Sequence, residues 1–227
     1  SLCVRGMRSI VMAAALATSG VSAMASPSSL IARQAQLSKI RLILGSQSPR
    51  RREIFDLLEL DYAVVVSDFE ENLDKADFVG EGGPARYTVA NAEGKAQDVL
   101  KTILASSDEE RVAHNPEGKP LVVVGSDTVV DLDGVILEKP KSTDAAKAML
   151  RSLSGRSHYV HTGVSVFTSE AGIEAPALSF SETTHVHFGE LSEEEIEAYV
   201  ASGEMAGLHT AIWACSSKKS NLIRPNP

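Results

Sequence analysis

The sequence predicts an α/β protein whose mixed sheet is flanked by helices, and three observations carry that expectation. Short β-branched runs alternate with stretches of helical apolar spacing. Leu121-Val122-Val123-Val124 is a continuous apolar run of the kind buried on both faces of a sheet. Asp133-Gly134 between Val129-Val130 and Val135-Ile136-Leu137 marks a tight hairpin, so antiparallel pairs join the parallel ones.

The first strand is expected over Leu42–Leu44, closed by Gly45, with a helix opening at Pro49, where a missing N–H costs nothing. Ile54, Phe55, Leu57 and Leu58 continue that helix. Tyr62–Val66 reads as a second strand running into the acidic stretch Ser67-Asp68-Phe69-Glu70-Glu71. Gly80-Glu81-Gly82-Gly83-Pro84 breaks the chain before a long helix through Val89, Ala92, Lys95, Ala96, Val99, Leu100 and Ile103. Residues 106–120 are polar and punctuated, and read as a loop. After the central run and the hairpin, Ser142 or Thr143 caps a helix stopped by Gly155. Tyr159–Phe167 and Thr183–Phe188 are two further strands, and Ser192-Glu193-Glu194-Glu195 is a capping box for the last helix.

Length and composition suit one sizeable core: 227 residues, 43% hydrophobic and 23% charged. Residues 1–52 hold eight of the 22 Lys and Arg and none of the 30 Asp and Glu, so the rest carries 14 cations against 30 acids. An acidic body argues against a nucleic-acid surface and confines phosphate recognition to a local pocket. Residues 1–39 read as an extension of targeting makeup, with Arg5, Arg8 and Arg33, abundant Ala and Ser, and no acid. A secretory signal built on Ile10–Leu16 is a second reading of the same stretch. Its apolar run is too short and interrupted for a membrane helix, so no membrane partner is expected. Only Cys3 and Cys215 are present, which excludes a disulfide framework and a cysteine zinc site. A reducing cytoplasmic location fits, with mitochondrion or plastid as the alternative the extension allows.

The chemistry starts at Gly45-Ser46-Gln47-Ser48-Pro49-Arg50-Arg51-Arg52. Helix-start donors, the hydroxyls of Ser46 and Ser48, and the guanidinium groups of Arg50 and Arg51 converge on a volume suited to phosphate. Ser48 as a simple N-cap is the plain alternative, yet three arginines oppose the helix dipole unless an anion answers them. Asp127 follows the valine run at the sheet end where α/β proteins bind ligands. Asp68, Glu70 and Glu71 offer oxygen to a hard divalent cation, while Lys95 and Lys139 supply point charges for phosphate. His158 and His161 flank a strand start; His185 and His187 alternate on one strand and read as a partly solvated face rather than metal ligands. No Walker A loop, Gly-x-Gly-x-x-Gly or Gly-x-Ser-x-Gly occurs. The residues taken together suit metal-assisted phosphoryl or nucleotidyl chemistry.

These pieces, in order, resemble the Maf family of nucleoside triphosphate pyrophosphatases: Ser46–Arg51, Ser67–Glu71, Ala90–Ala96, Gly125-Ser126-Asp127-Thr128, Glu138-Lys139-Pro140, Leu153–His158 and Leu191–Ile196. The resemblance spans residues 40–204. It implies two lobes around a central cleft, and cleavage between the α- and β-phosphates of a nucleoside triphosphate with Mg²⁺ or Mn²⁺. It further implies Asp127 as proton acceptor, Glu70 as metal ligand, Arg50, Lys95 and Lys139 on the triphosphate, and a homodimer. Ser-Pro-Arg-Arg with Gly-Ser-Asp-Thr is similar to the branch acting on dTTP, UTP and modified pyrimidine triphosphates, with Arg50 and Thr128 as specificity positions. Residues 205–227 depart from the family pattern, which continues with a Gly-Ile-Gln-Gly segment and closing strands. On that departure rests a second expectation, a nucleotide-binding or regulatory protein without turnover.

Overall fold

The computed structural model describes residue 35, residues 37–202 and the backbone of 223–224. The sequence-based readings of the first 34 residues and of most of the 205–227 tail lie outside the described residues. No helix among the described residues is long and apolar enough to cross a membrane.

One sheet organises the chain, in the order β2-β1-β3-β5-β6-β7, with β4 hairpinned onto β3. Strand β1 (Arg41–Gly45) runs parallel to β2 (Tyr62–Val64) and to β3 (Leu121–Leu132). Antiparallel pairing joins β3 to β4 (Val135–Leu137) and to β5 (Ser157–Thr168), then β5 to β6 (Leu178–Phe188) and β6 to β7 (Ile223–Arg224). The hairpin at residues 133–134 has the left-handed backbone its sequence demands, with φ of 54° at Asp133 and 82° at Gly134.

Helices cover both faces. Helix α1 (Pro49–Leu57) packs Phe55 against Leu42, Leu44, Val122 and Val124. The long α2 (Gly83–Ala105) packs Ala96, Val99, Leu100 and Ile103 against Ile43, Val123 and Phe167. Successive strand residues point to opposite faces, so α1 and α2 lie on opposite sides of the sheet. Helices α4 (Thr143–Leu153) and α5 (Glu193–Ala201) close a third cluster over Val130, Val160 and Val186. Val122, Val124 and Val130 share one strand face, so α1 and the α4–α5 pair sit on the same side. Between these two apolar lobes that face of β3 and β5 carries Ser126, Thr128 and Thr162, with the two threonine hydroxyls 3.2 Å apart. That polar strip separates the two lobes.

Three expectations need correction. Residues 106–120 are not all loop: α3 (Asp108–His114) forms there, with Ser107 and Glu110 making a reciprocal capping box. Ser126–Thr128 does not follow a strand end but lies inside a twelve-residue β3. Pairing with Thr162, Gly163 and Val164 of β5 carries the strand through this polar triplet. Asp127 nevertheless lies two residues beyond the end of the parallel ladder, since β1 stops where Gly45 meets Gly125. Strand β6 also begins earlier than the expected Thr183, at Leu178.

Helix α2 approaches the sheet closely because two strand residues lack side chains. A Cβ on Gly125 would lie 2.3 Å from the Ala92 carbonyl oxygen, and one on Gly163 would lie 2.2 Å from that of Thr88. Gly125→Ala is therefore expected to cost about 1–3 kcal/mol through forced displacement of the helix, measured as a lower urea midpoint at unchanged slope.

Buried within the α4–α5 lobe, His158 packs beside the Phe188 ring and is 2% exposed, with neither ring nitrogen partnered. Burial, with a smaller contribution from His185, pushes its pKa down from 6.5 to about 4. Between those values the unfolded chain binds the extra proton, so stability falls as pH drops from 6.5 towards 4. The loss reaches about 3 kcal/mol at the lower end, and His158→Leu is expected to flatten that part of a stability-against-pH curve.

Candidate functional site

The turn after β1 builds the cationic half. Ser46, 6% exposed, accepts hydrogen bonds at Oγ from the Ser48 N–H at 3.2 Å and from Arg51 Nη1 at 2.9 Å. Ser48 takes the N-cap position with Pro49 following, but its hydroxyl makes no capping hydrogen bond. The first turn of α1 carries arginines and no acid, and Arg50 and Arg51 are half-buried. This turn leaves β1 beside the segment of β3 that carries Asp127, because Gly45 and Gly125 are register partners.

The acidic half is built on α2. Asp127, 7% exposed, faces the helix that Gly125 admits, and Lys95 Nζ donates to its Oδ1 at 2.9 Å. Asn91, one turn earlier and fully buried, donates from Nδ2 to Oδ2 at 3.3 Å. Lys95 Nζ also lies 3.0 Å from Glu71 Oε1, so one ammonium bridges two carboxylates. That trio carries one net negative charge.

Glu71 arrives there because the segment after β2 is fastened to α2. The Ser67 hydroxyl and the Asp68 N–H both donate to Asp98 Oδ2, at 2.7 and 2.9 Å. Phe69 packs against Gly94, whose added Cβ would stand 2.4 Å from the ring. The chain then turns, the Asn72 N–H donating to the Glu70 carbonyl at 2.9 Å, and neighbouring side chains part: Glu71 reaches Lys95, while Glu70 Oε2 accepts from Asn72 Nδ2 at 3.3 Å. The three carboxylates read together from the sequence do not gather, and no group of three or more His, Cys, Asp or Glu side chains converges among the described residues.

A second fastening holds the end of β4. Glu138 Oε1 accepts from the Tyr87 hydroxyl at 2.7 Å, and Oε2 lies 3.0 Å from Lys75 Nζ. Phe78 meets the Tyr87 ring edge-on at 5.3 Å. Burial first, then the hydrogen bond to Glu138 and nearby carboxylates, pushes the Tyr87 phenol up to about 12, so it remains a donor at neutral pH. Burial opposes ionisation of Glu138, but the bonds from Tyr87 and Lys75 outweigh it and hold the carboxyl below its usual range. Lys139 follows directly and is exposed.

Of the residues singled out from the sequence, the structure joins Ser46 with Arg51 and Lys95 with Asp127. Thr128 lies on the polar strip against Thr162, on the face opposite Asp127. Glu70 stands beside the Lys95 cluster rather than in it. Tyr87 and Asn91 were not singled out, although the 87, 91, 95 spacing that puts them on one helical face with Lys95 was legible. Two surface cavities, of about 280 and 460 Å³, lie elsewhere, lined respectively by residues such as Arg86 and Glu93 and by residues such as Ile103 and His114.

Fold and site define a class: an α/β protein whose parallel strands end between an arginine-bearing turn and a carboxylate–ammonium–carboxylate cluster. The chain belongs to the family described as Maf-like protein, whose model matches residues 41–213. It is 40% identical over 164 residues to the dTTP/UTP pyrophosphatase of Bacillus velezensis, covering 72% of this chain and 74% of that one. Over 167 residues it is 40% identical to a Homo sapiens protein named "Probable bifunctional dTTP/UTP pyrophosphatase/methyltransferase protein". The match takes in 72% of this chain but only 25% of that longer relative. Among solved structures, a HAM1 protein from Coxiella burnetii aligns over 77% of this chain and 98% of its own, with 15% identity and a TM-score of 0.35.

Proposed function

We propose that this chain is a nucleoside triphosphate pyrophosphatase that hydrolyses dTTP and UTP to the monophosphate and pyrophosphate. The observation that carries the reading is the ion-paired Asp127 carboxylate, held two residues past the end of the parallel ladder from which the Ser46–Arg51 turn also departs. Membership of the Maf-like family and 40% identity to a bacterial dTTP/UTP pyrophosphatase support the same substrate class.

In this reading Ser46, Ser48, Arg50 and Arg51 bind the β- and γ-phosphates, and Lys139 approaches from the end of β4. Water attacks the α-phosphorus, and Asp127 takes its proton. The bond to the bridging oxygen breaks, and its electron pair leaves on pyrophosphate, whose charge the arginines and Lys139 stabilise. Lys95 keeps Asp127 and Glu71 in place. Thr128, next to Asp127 in β3, contacts the nucleoside side of the substrate.

The donor set suits Mg²⁺ or Mn²⁺ carried by the nucleotide, since such ions use one or two carboxylates together with substrate phosphates. Glu71 would hold the ion, with Glu70 beside it. Bound there, it would neutralise phosphate charge.

The test is product analysis of the purified full chain with dTTP, UTP, CTP and GTP in Mg²⁺. Monophosphate and pyrophosphate in equal amounts, fastest from dTTP and UTP, are expected. Stepwise orthophosphate would overturn the reading, and binding without any product would select a nucleotide-binding protein without turnover.

A further inference from the structure

The two oxygens of Asp127 are held unequally. Oδ1 accepts a charge-assisted bond from Lys95 at 2.9 Å, whereas Oδ2 accepts only the Asn91 amide at 3.3 Å, beyond the usual N–H···O range. Oδ2 is therefore the oxygen with a lone pair available to a proton. Asn91 itself is fully buried, and its Oδ1 has no hydrogen-bond partner, which is uncommon for a buried carboxamide. Tyr87, one helical turn back, also interacts with the Asn91 side chain, which lowers its phenol pKa and so acts as the donor. The Tyr87 hydroxyl is committed as a donor to Glu138, so its oxygen is left as an acceptor.

We propose that Asn91 is a positioning residue for Asp127: its carboxamide orients the carboxylate so that Oδ2 receives the proton of the attacking water, and its buried Oδ1 accepts the hydrogen bond of the carboxylic acid that results. The proposal rests on the reading of Asp127 as proton acceptor.

The balance is simple. Water gives its proton to Oδ2 and its oxygen to phosphorus, pyrophosphate leaves with the bond's electron pair, and the proton on Oδ2 later returns to solvent. Before transfer the Asn91 Nδ2–H donates to the ionised Oδ2. After transfer a half-turn of the carboxamide, which leaves its shape unchanged, brings Asn91 Oδ1 to the new O–H. An amide is suited to this place because it offers a donor on one side and an acceptor on the other. Leucine fills a similar volume and does neither; aspartate keeps the shape and loses the donor.

The experiment compares Asn91→Leu and Asn91→Asp in the full chain. Each is expected to lower kcat for dTTP by about 10- to 100-fold, while affinity for a non-hydrolysable dTTP analogue, measured by calorimetry, stays within about twofold. In an Asp127→Asn background Asn91→Leu should cost nothing further, because the two residues act as one unit. A kcat for Asn91→Leu within about twofold of the parent would overturn the proposal and leave Asn91 a packing residue. Unfolding midpoints for Asn91→Leu, Asp127→Asn and the double variant decide the contact without using turnover. Coupled effects are expected, and additive ones would overturn it. A parent chain that makes no pyrophosphate, with the unfolding cycle still coupled, would instead count against the pyrophosphatase reading alone.

Discussion

Asp127→Asn is expected to lower turnover of dTTP by about 10³-fold while leaving nucleotide binding in place. Asparagine keeps the shape of the side chain and its position in β3 between Ser126 and Thr128. It cannot take a proton from water at neutral pH. It also removes the charge that Lys95 pairs with at 2.9 Å, but Glu71 remains 3.0 Å from the same ammonium, so Lys95 keeps a counter-ion. The arginine-bearing turn is untouched, which is why affinity for a non-hydrolysable triphosphate should change little. Steady-state pyrophosphate release beside calorimetry separates the two quantities. Undiminished release would remove Asp127 from the reaction.

Lys95→Met has the larger structural consequence. The Lys95 and Asp127 side chains are 13% and 10% exposed, so removing the ammonium leaves a nearly buried carboxylate facing only an amide. Breaking such a pair costs about 3–5 kcal/mol, and the Glu71 segment loses its anchor at the same stroke. A urea midpoint well below the parent's is expected, together with loss of turnover. Adding Asp127→Asn to Lys95→Met should recover much of the lost stability, because the stranded charge is then gone. Failure of the second change to recover stability would mean that methionine disturbs packing on α2 rather than electrostatics.

Local chemistry made some of this legible in the sequence. Pro49 after Ser48 and Gly45 announced the turn between β1 and α1, and the hairpin at Asp133-Gly134 was read correctly from two residues. Ser192 and Glu195 marked the start of α5 in the same way. Ser107 and Glu110 carried an equal signal for α3, but the polar composition around them pointed to a loop. The continuity of β3 was hidden because Ser126-Asp127-Thr128 has turn-like composition, and only pairing with β5 makes it strand. Glu70 and Glu71 could not be told apart from sequence. Their directions depend on Asp98 and Gly94, 31 and 25 residues downstream of Ser67 and Phe69, which they hold against α2. Asn91 was hidden for a related reason: its role comes from facing Asp127 across the glycine gap in β3, a tertiary contact with no local signature.

The claim on which the account depends is that the Ser46–Arg51 turn and Asp127 serve a single triphosphate. A crystal structure of the full chain with Mg²⁺ and a dUTP analogue carrying an imido bridge between its α- and β-phosphorus atoms tests it most directly. The account expects the β- and γ-phosphates against the turn and the α-phosphorus within one water of Asp127. Phosphates bound away from the turn, or an α-phosphorus separated from Asp127 by packed side chains, would contradict it.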